Sequence, residues 1–186
     1  MRVFVLSPQR CGSVSLSAAC KHITNFTSGH ETRTELAIKY PNDHIEIDNR
    51  LAFFLGRLEK NYGDNAYYVY LKRDPKKVAN SCLNRYNWGI IRGYHKRILL
   101  FKPNSTKFEI CMDYVKTVNT NIELFLKNKT NKIEVNVENF EEDFKKFWDF
   151  IGAKGNQSTA ISELTKKHNT SKKRRLDYIL NNFFKK

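Results

Sequence analysis

Two short stretches carry residue types that suit the gripping of a phosphate-like anion. The first is "SPQRCGSVSL", Ser7 to Leu16, which follows the apolar run "VFVL". Gly12 lets the backbone approach a ligand closely. If a helix opens at Ser13, its first N–H groups point at any anion held there. Ser13 and Ser15 add hydroxyl donors, and Arg10 adds a planar guanidinium fork. A plain strand-to-helix turn that needs a glycine explains this loop equally well by itself. The second stretch is "YLKRDPKKVANSCLNRY", Tyr70 to Tyr86. Arg73 stands before Asp74-Pro75, with Ser81 and Arg85 further on. On a helix that starts at Pro75, Ser81 and Arg85 are i and i+4 and share a face. Turned toward Arg73, that face brings two guanidinium groups and a hydroxyl to one point, which is an anion clamp. The competing reading is a capped surface helix with ordinary charges.

These loops need elements to hold them. "RVFVL", ended by Ser-Pro, reads as a short buried strand, and Ser13 to about Ile23 as a helix. Apolar spacing from Leu51 through Phe54, Leu55 and Leu58 predicts a helix that stops at Gly63. "AYYVYL", Ala66 to Leu71, is a second strand, and Asp74-Pro75 a helix start, with Asp as cap and Pro in the first turn. Phe108, Cys111, Val115, Val118, Ile122 and Phe125 mark one face of a long helix. Ile133, Val135 and Val137 alternate as a third strand. A last amphipathic helix turns Phe140, Phe144, Phe147 and Ile151 inward. Strands separated by helices imply an α/β fold, a parallel sheet with helices packed on it. Ligands of such sheets bind at the carboxyl ends of the strands, where both loops sit. With no repeat and no flexible linker, residues 1–186 read as a single domain.

Bulk properties narrow the class. Hydrophobic residues make up 40% of the chain and aromatic residues 13%, which excludes a disordered protein. No apolar run reaches the roughly 18 residues of a membrane span. The first residues do not resemble a secretory signal, so a cytoplasmic location is expected. Cys11, Cys20, Cys82 and Cys111 have no metal-type spacing and are expected as reduced thiols. A net charge of +14 calls for an anionic partner: nucleic acid, a nucleotide cofactor or an acidic glycan. The one basic cluster, Lys172 to Arg175, reads first as a solvated, helix-flanking run.

Together the two loops resemble those of sulfotransferases that use 3'-phosphoadenosine-5'-phosphosulfate (PAPS). In that family an Arg/Lys-x-Gly-Thr/Ser-x-x-Leu loop after the first strand grips the 5'-phosphosulfate. Here it reads Arg10-Cys11-Gly12-Ser13-Val14-Ser15-Leu16. A later strand of the family ends in Arg-Asp-Pro, followed by a serine, and grips the 3'-phosphate; here these are Arg73-Asp74-Pro75 and Ser81. "SGHETR", Ser28 to Arg33, resembles the Gly-Glu-Glu-Thr-Arg stretch of tyrosylprotein-type sulfotransferases, whose second glutamate is the catalytic base. That position is Glu31. His30 replaces the first glutamate and is a rival base, as other branches use histidine. "IEVNVENFEEDFKKFWDFIG" resembles a late strand-and-helix block of the family. "HNTSKK" resembles its closing loop, which assigns Asn169, Ser171 and Lys172 to the nucleotide. The stretch Trp88 to Thr106 has no counterpart in the resemblance.

The resemblance implies a three-layer α/β/α, P-loop NTPase-like sulfotransferase fold. It implies PAPS as donor, 3'-phosphoadenosine-5'-phosphate (PAP) as product, and no metal. Arg10, Cys11, Gly12, Ser13, Val14 and Ser15 would hold the departing 5'-phosphate, Arg73, Ser81 and Arg85 the 3'-phosphate, and Glu31 the acceptor's proton. Arg33 and Asp48-Asn49-Arg50 are candidates for acceptor contact, although helix capping explains the second group equally well. The implied acceptor would be a hydroxyl or amine of a glycan, peptide or small molecule. Two other classes stand beside this one. A P-loop kinase with a degenerate loop would lack the usual loop lysine and a strand-end metal aspartate. A basic nucleic-acid-binding module would account for the charge, but the chain shows no known binding motif for it.

Overall fold

"RVFVL" forms β1 (Arg2–Leu6), and Val3 to Leu6 are fully buried, as expected of a strand covered on both faces. The computed structural model describes residues 1–32, 39–101 and 104–166. Around β1 lie β2 (Thr27–His30), β3 (His44–Ile47), β4 (Tyr67–Lys72) and β5 (Lys132–Asn136). All pairings are parallel, in the order β2-β3-β1-β4-β5. Phe4 sits opposite Glu46 on one side and Tyr68 on the other, which sets the register of the three central strands. The chain leaves β1 for β2 and β3, then crosses to β4 and β5. The strand order therefore reverses at the carboxyl end of β1, between β3 and β4, where doubly wound sheets bind ligands.

The helices are α1 (Ser13–Cys20), α2 (Leu55–Tyr62), α3 (Pro75–Leu83), α4 (Gly89–Gly93), α5 (Lys107–Leu126), α6 (Phe140–Phe150) and α7 (Gln157–Thr165). α1 packs on α7 and β2, and α6 on β5 and α7; α3 packs on α5. These groups flank the sheet as the outer layers of a three-layer α/β/α fold. Local chemistry fixes the helix starts. The Asp74 carboxylate accepts from the Lys77 N–H at 2.7 Å, with Pro75 in the first turn of α3. Thr106 and Glu109 form a reciprocal capping box on α5. The core is continuous from Phe4 and Tyr68 to Tyr114, Phe144 and Phe147. Among the described residues no helix is long and apolar enough to cross a membrane.

The structure departs from the sequence reading at four points. The sheet has five strands rather than three. β2 is short and reads "TSGH", without apolar alternation. β3 reads "HIEI" because two buried polar residues, His44 and Glu46, satisfy each other across 3.0 Å inside it. α1 ends at Cys20, and Ile23 instead bridges to Gly155. The helix expected from Leu51 to Gly63 is broken at Phe54 into a 3-10 turn, Asn49–Phe53, and α2. α3 ends at Leu83, so Arg85 lies just past the helix rather than stacked on it. Residues 89–98, within the stretch that had no counterpart, fold as α4 followed by a π-helical turn, Tyr94–Ile98, anchored by the Tyr94 hydroxyl on Asp113 at 2.6 Å.

Candidate functional site

A cleft of about 550 Å³ opens at the carboxyl ends of β1, β2, β3 and β4. That is within the size range of small-molecule sites, about 300–1,000 Å³. Its floor is the loop after β1. Gly12 adopts φ +83, in the left-handed region, and a Cβ built on it would lie 3.1 Å from Val137 Cγ2. Both the turn and the close packing thus require glycine. Gly12 is the N-cap of α1, with no side-chain cap bond and no acid in the first turn. The first N–H groups of α1 therefore end on the cleft, with Ser13, Val14 and Ser15 in its wall.

Arg10 also adopts a positive φ, +73. Its backbone is held by Arg73, whose Nη1–H donates to the Arg10 carbonyl at 2.9 Å. Its side chain crosses to α3, where Nε–H donates to Ser81 Oγ at 2.9 Å. Two of the residues expected to clamp one phosphate thus hold the arginine expected to clamp the other. Arg85 lines the same cleft and stacks on Trp88, 4.8 Å from the ring centroid. Arg10, Arg73, Arg85 and Lys166 line the wall against a single acid, Glu31. A field of that sign favours an anion. The residues present fit the phosphate groups of a nucleotide of the PAPS type: forks, hydroxyls and helix N–H groups converge, and Gly12 leaves room for close approach.

The carboxyl end of β2 brings His30 and Glu31 to the cleft. His30 Nε2 meets Ser13 Oγ at 3.0 Å, joining it to the phosphate-type loop. Glu31 is exposed, adopts φ +55, and its Oε1 accepts from Asn49 Nδ2–H at 2.6 Å. Cys11 has its side chain in the core and not in the cleft, so only its backbone faces a ligand. Burial pushes its thiol well above the ordinary range, against the pull of Arg73. Cys82, on the buried face of α3, is pushed up to about 11, chiefly by burial, while Gln9, Arg10 and Arg85 act the other way. Ser81 stands behind Arg10 rather than in the wall. Asn169, Ser171, Lys172 and Arg33 lie outside the described residues. Sequence reasoning missed Gln9, Val137, Phe140 and Leu164, which also line the cleft. Val137 and Phe140 follow β5 directly, so reading every strand end as a site wall would have found them.

No family model and no curated protein matches this sequence. Solved structures do match the fold. The sulfotransferase domain from the curacin biosynthetic pathway superposes with a TM-score of 0.61 at 14% identity, over 90% of this chain and 77% of that one. Mouse sulfotransferase SULT7A1, solved in complex with PAP, superposes with a TM-score of 0.54 at 17% identity, over 88% of this chain and 63% of the mouse chain. This chain therefore spans less than two thirds of the mouse protein. At these identities the likeness is one of fold. The described part of the chain has the sulfotransferase fold, a P-loop-like α/β/α arrangement around five parallel strands.

Proposed function

We propose that this protein is a PAPS-dependent sulfotransferase acting on a hydroxyl or amine. The observation that carries the proposal is the placement of two basic loops and one carboxylate around a single cleft. Arg10, Gly12, Ser13, Arg73, Arg85 and Glu31 all line it. When bound, the nucleotide supplies an activated sulfuryl group on its 5'-phosphate. Arg10, Ser13 and the N–H groups of α1 hold that phosphate and stabilise the charge that builds on it as it departs. Arg73 anchors the 3'-phosphate, with Arg85 in support, and it also fixes the backbone of Arg10. Ser81 serves this site through Arg10, whose Nε–H its Oγ accepts. Asn169, Ser171 and Lys172, outside the described residues, are assigned to the nucleotide only by the resemblance of "HNTSKK".

Glu31 takes the proton of the acceptor as the new bond to sulfur forms. As with phosphoryl transfer, positioning and charge stabilisation supply most of the catalysis. His30 shares a hydrogen bond with Ser13 of the phosphate-type loop and stands as the rival base. The basic wall favours an acidic acceptor, a glycan or an acidic peptide, and the protein is expected in the cytoplasm. The test is transfer from radiolabelled PAPS to a panel of phenols, tyrosine-containing acidic peptides and glycans. Labelled product from any of them supports the proposal. PAPS left intact with every class overturns it.

A further inference from the structure

Asn49 is a buried polar side chain that the proposed function leaves without a task. It follows Asp48, the N-cap of the 3-10 turn that leaves β3. Asp48 accounts for itself: it accepts from the Arg50 N–H at 2.8 Å and holds the Arg50 guanidinium at 2.7 Å. Asn49 is only 7% exposed. Its Nδ2–H donates to Glu31 Oε1 at 2.6 Å, while its Oδ1 is buried with no hydrogen-bond partner among the described residues. An orphaned buried acceptor is destabilising. Turning the amide over gives no relief, because Oδ1 would then face a carboxylate oxygen, acceptor against acceptor. The amide is therefore set by Glu31, although its own carbonyl goes unsatisfied.

The backbone around Glu31 is tied to the same strand. The Glu31 N–H donates to the Ile47 carbonyl at 3.2 Å. Glu46, fully buried in β3, accepts from the Thr32 N–H at 3.0 Å and from the Thr32 hydroxyl at 2.5 Å. These bonds hold Glu31 in a left-handed conformation that a non-glycine residue disfavours. The carboxylate is thus fixed at its root by β3 and at one oxygen by Asn49.

We propose that Asn49 is a positioning residue for Glu31. Its amide occupies Oε1 and so presents Oε2 to the acceptor hydroxyl. In the step, the acceptor oxygen–sulfur bond forms, the bond from sulfur to the 5'-phosphate oxygen breaks, and the proton goes to Oε2. Asn49 takes no proton. The inference rests on Glu31 being the base.

The test compares Asn49→Leu, Asn49→Asp and Glu31→Gln with wild type, using PAPS as donor and phenol as a minimal acceptor. Asn49→Leu should lower kcat about tenfold or more while KM for PAPS and the affinity for PAP stay within about twofold. Its Tm should not fall, because the orphaned acceptor is gone. Asn49→Asp has the same shape but faces Glu31 with a like charge, so its kcat should be lower still. A merely structural role gives the opposite pattern, with Tm, PAP affinity and kcat falling together. That pattern, or wild-type kcat in Asn49→Leu, overturns the proposal. If Glu31→Gln itself turns over like wild type, the base assignment fails and this proposal with it. If Glu31→Gln is inactive while Asn49→Leu is not, the base stands and only the role of Asn49 falls.

Discussion

Replacing Gly29 with alanine puts a methyl group where three atoms already stand. The new Cβ would lie 2.5 Å from Thr32 Cγ2, 2.9 Å from Thr32 Oγ1 and 2.9 Å from Glu46 Oε2. Gly29 is not among the residues with positive φ, so alanine suits its backbone and the whole effect comes from the collision. Thr32 is the exposed member of the group and has to move. It then gives up its two hydrogen bonds to the buried Glu46 carboxylate. Bonds to a charged group are worth about 1.5–3 kcal/mol each, and solvation of the displaced Thr32 returns part of that. A net loss of roughly 2–4 kcal/mol follows, or about 5–15 °C in Tm for a domain of this size. Urea unfolding followed by circular dichroism measures it. Thr32→Ala removes two of the three obstructing atoms, so the double variant Gly29→Ala/Thr32→Ala should be less destabilised than the two single losses added together. The coupling should be about 1 kcal/mol or more. Gly29→Ala within about 0.5 kcal/mol of wild type, or simple additivity, would refute the reasoning.

Three further expectations follow from the same geometry. Glu31→Gln should lower kcat by a factor of about 100 or more with PAP affinity nearly unchanged, and His30→Ala should do less, as read from steady-state kinetics and titration. Each proposed phosphate contact is a guanidinium, a hydroxyl or a backbone N–H, so EDTA should leave turnover intact; complete and reversible loss would favour the kinase reading. Burial raises the pKa of Glu46, but hydrogen bonds from His44 and Thr32 outweigh it and hold the carboxyl below its ordinary value. A lowered folded-state pKa contributes stability that is present above the unfolded pKa, about 4.3, and is lost as pH falls through the folded value. Unfolding free energy should therefore decline below about pH 4.3, and Glu46→Gln should flatten that decline.

Much of the site was legible because its chemistry is local. Gly12, Arg10 and Ser13 follow a strand within a few residues, and Asp74-Pro75 announces a helix that carries Ser81. The sheet's left half was not legible. "HIEI" looks polar because a carboxylate and an imidazole that hydrogen-bond to each other stand apart by one residue in sequence. "TSGH" has no apolar pattern, since its glycine is there to make room for Thr32 and Glu46. Arg85 was expected on a helical face, yet α3 stops two residues earlier and the turn beyond it still carries the side chain to the cleft. The bond between Arg10 and Ser81 joins the loop after β1 to α3, so no local spacing foretold it. Asn49 was ambiguous for the same reason. Within "DNR" the cap belongs to Asp48, and only the packing of β2 beside β3 shows that the asparagine reaches Glu31.

The account stands most directly on the second phosphate. Arg73 and Arg85 line the cleft beside a loop already suited to one phosphate, and Arg73 also braces Arg10. A ligand with phosphates at both ends should engage both groups. One charge-assisted contact is worth roughly 1.5–3 kcal/mol, which is about tenfold or more in affinity. Calorimetric titration of the wild-type protein with PAP and with AMP measures that difference in one pair of experiments. The account predicts that PAP binds at least about tenfold more tightly than AMP. Equal affinities for the two nucleotides would contradict it.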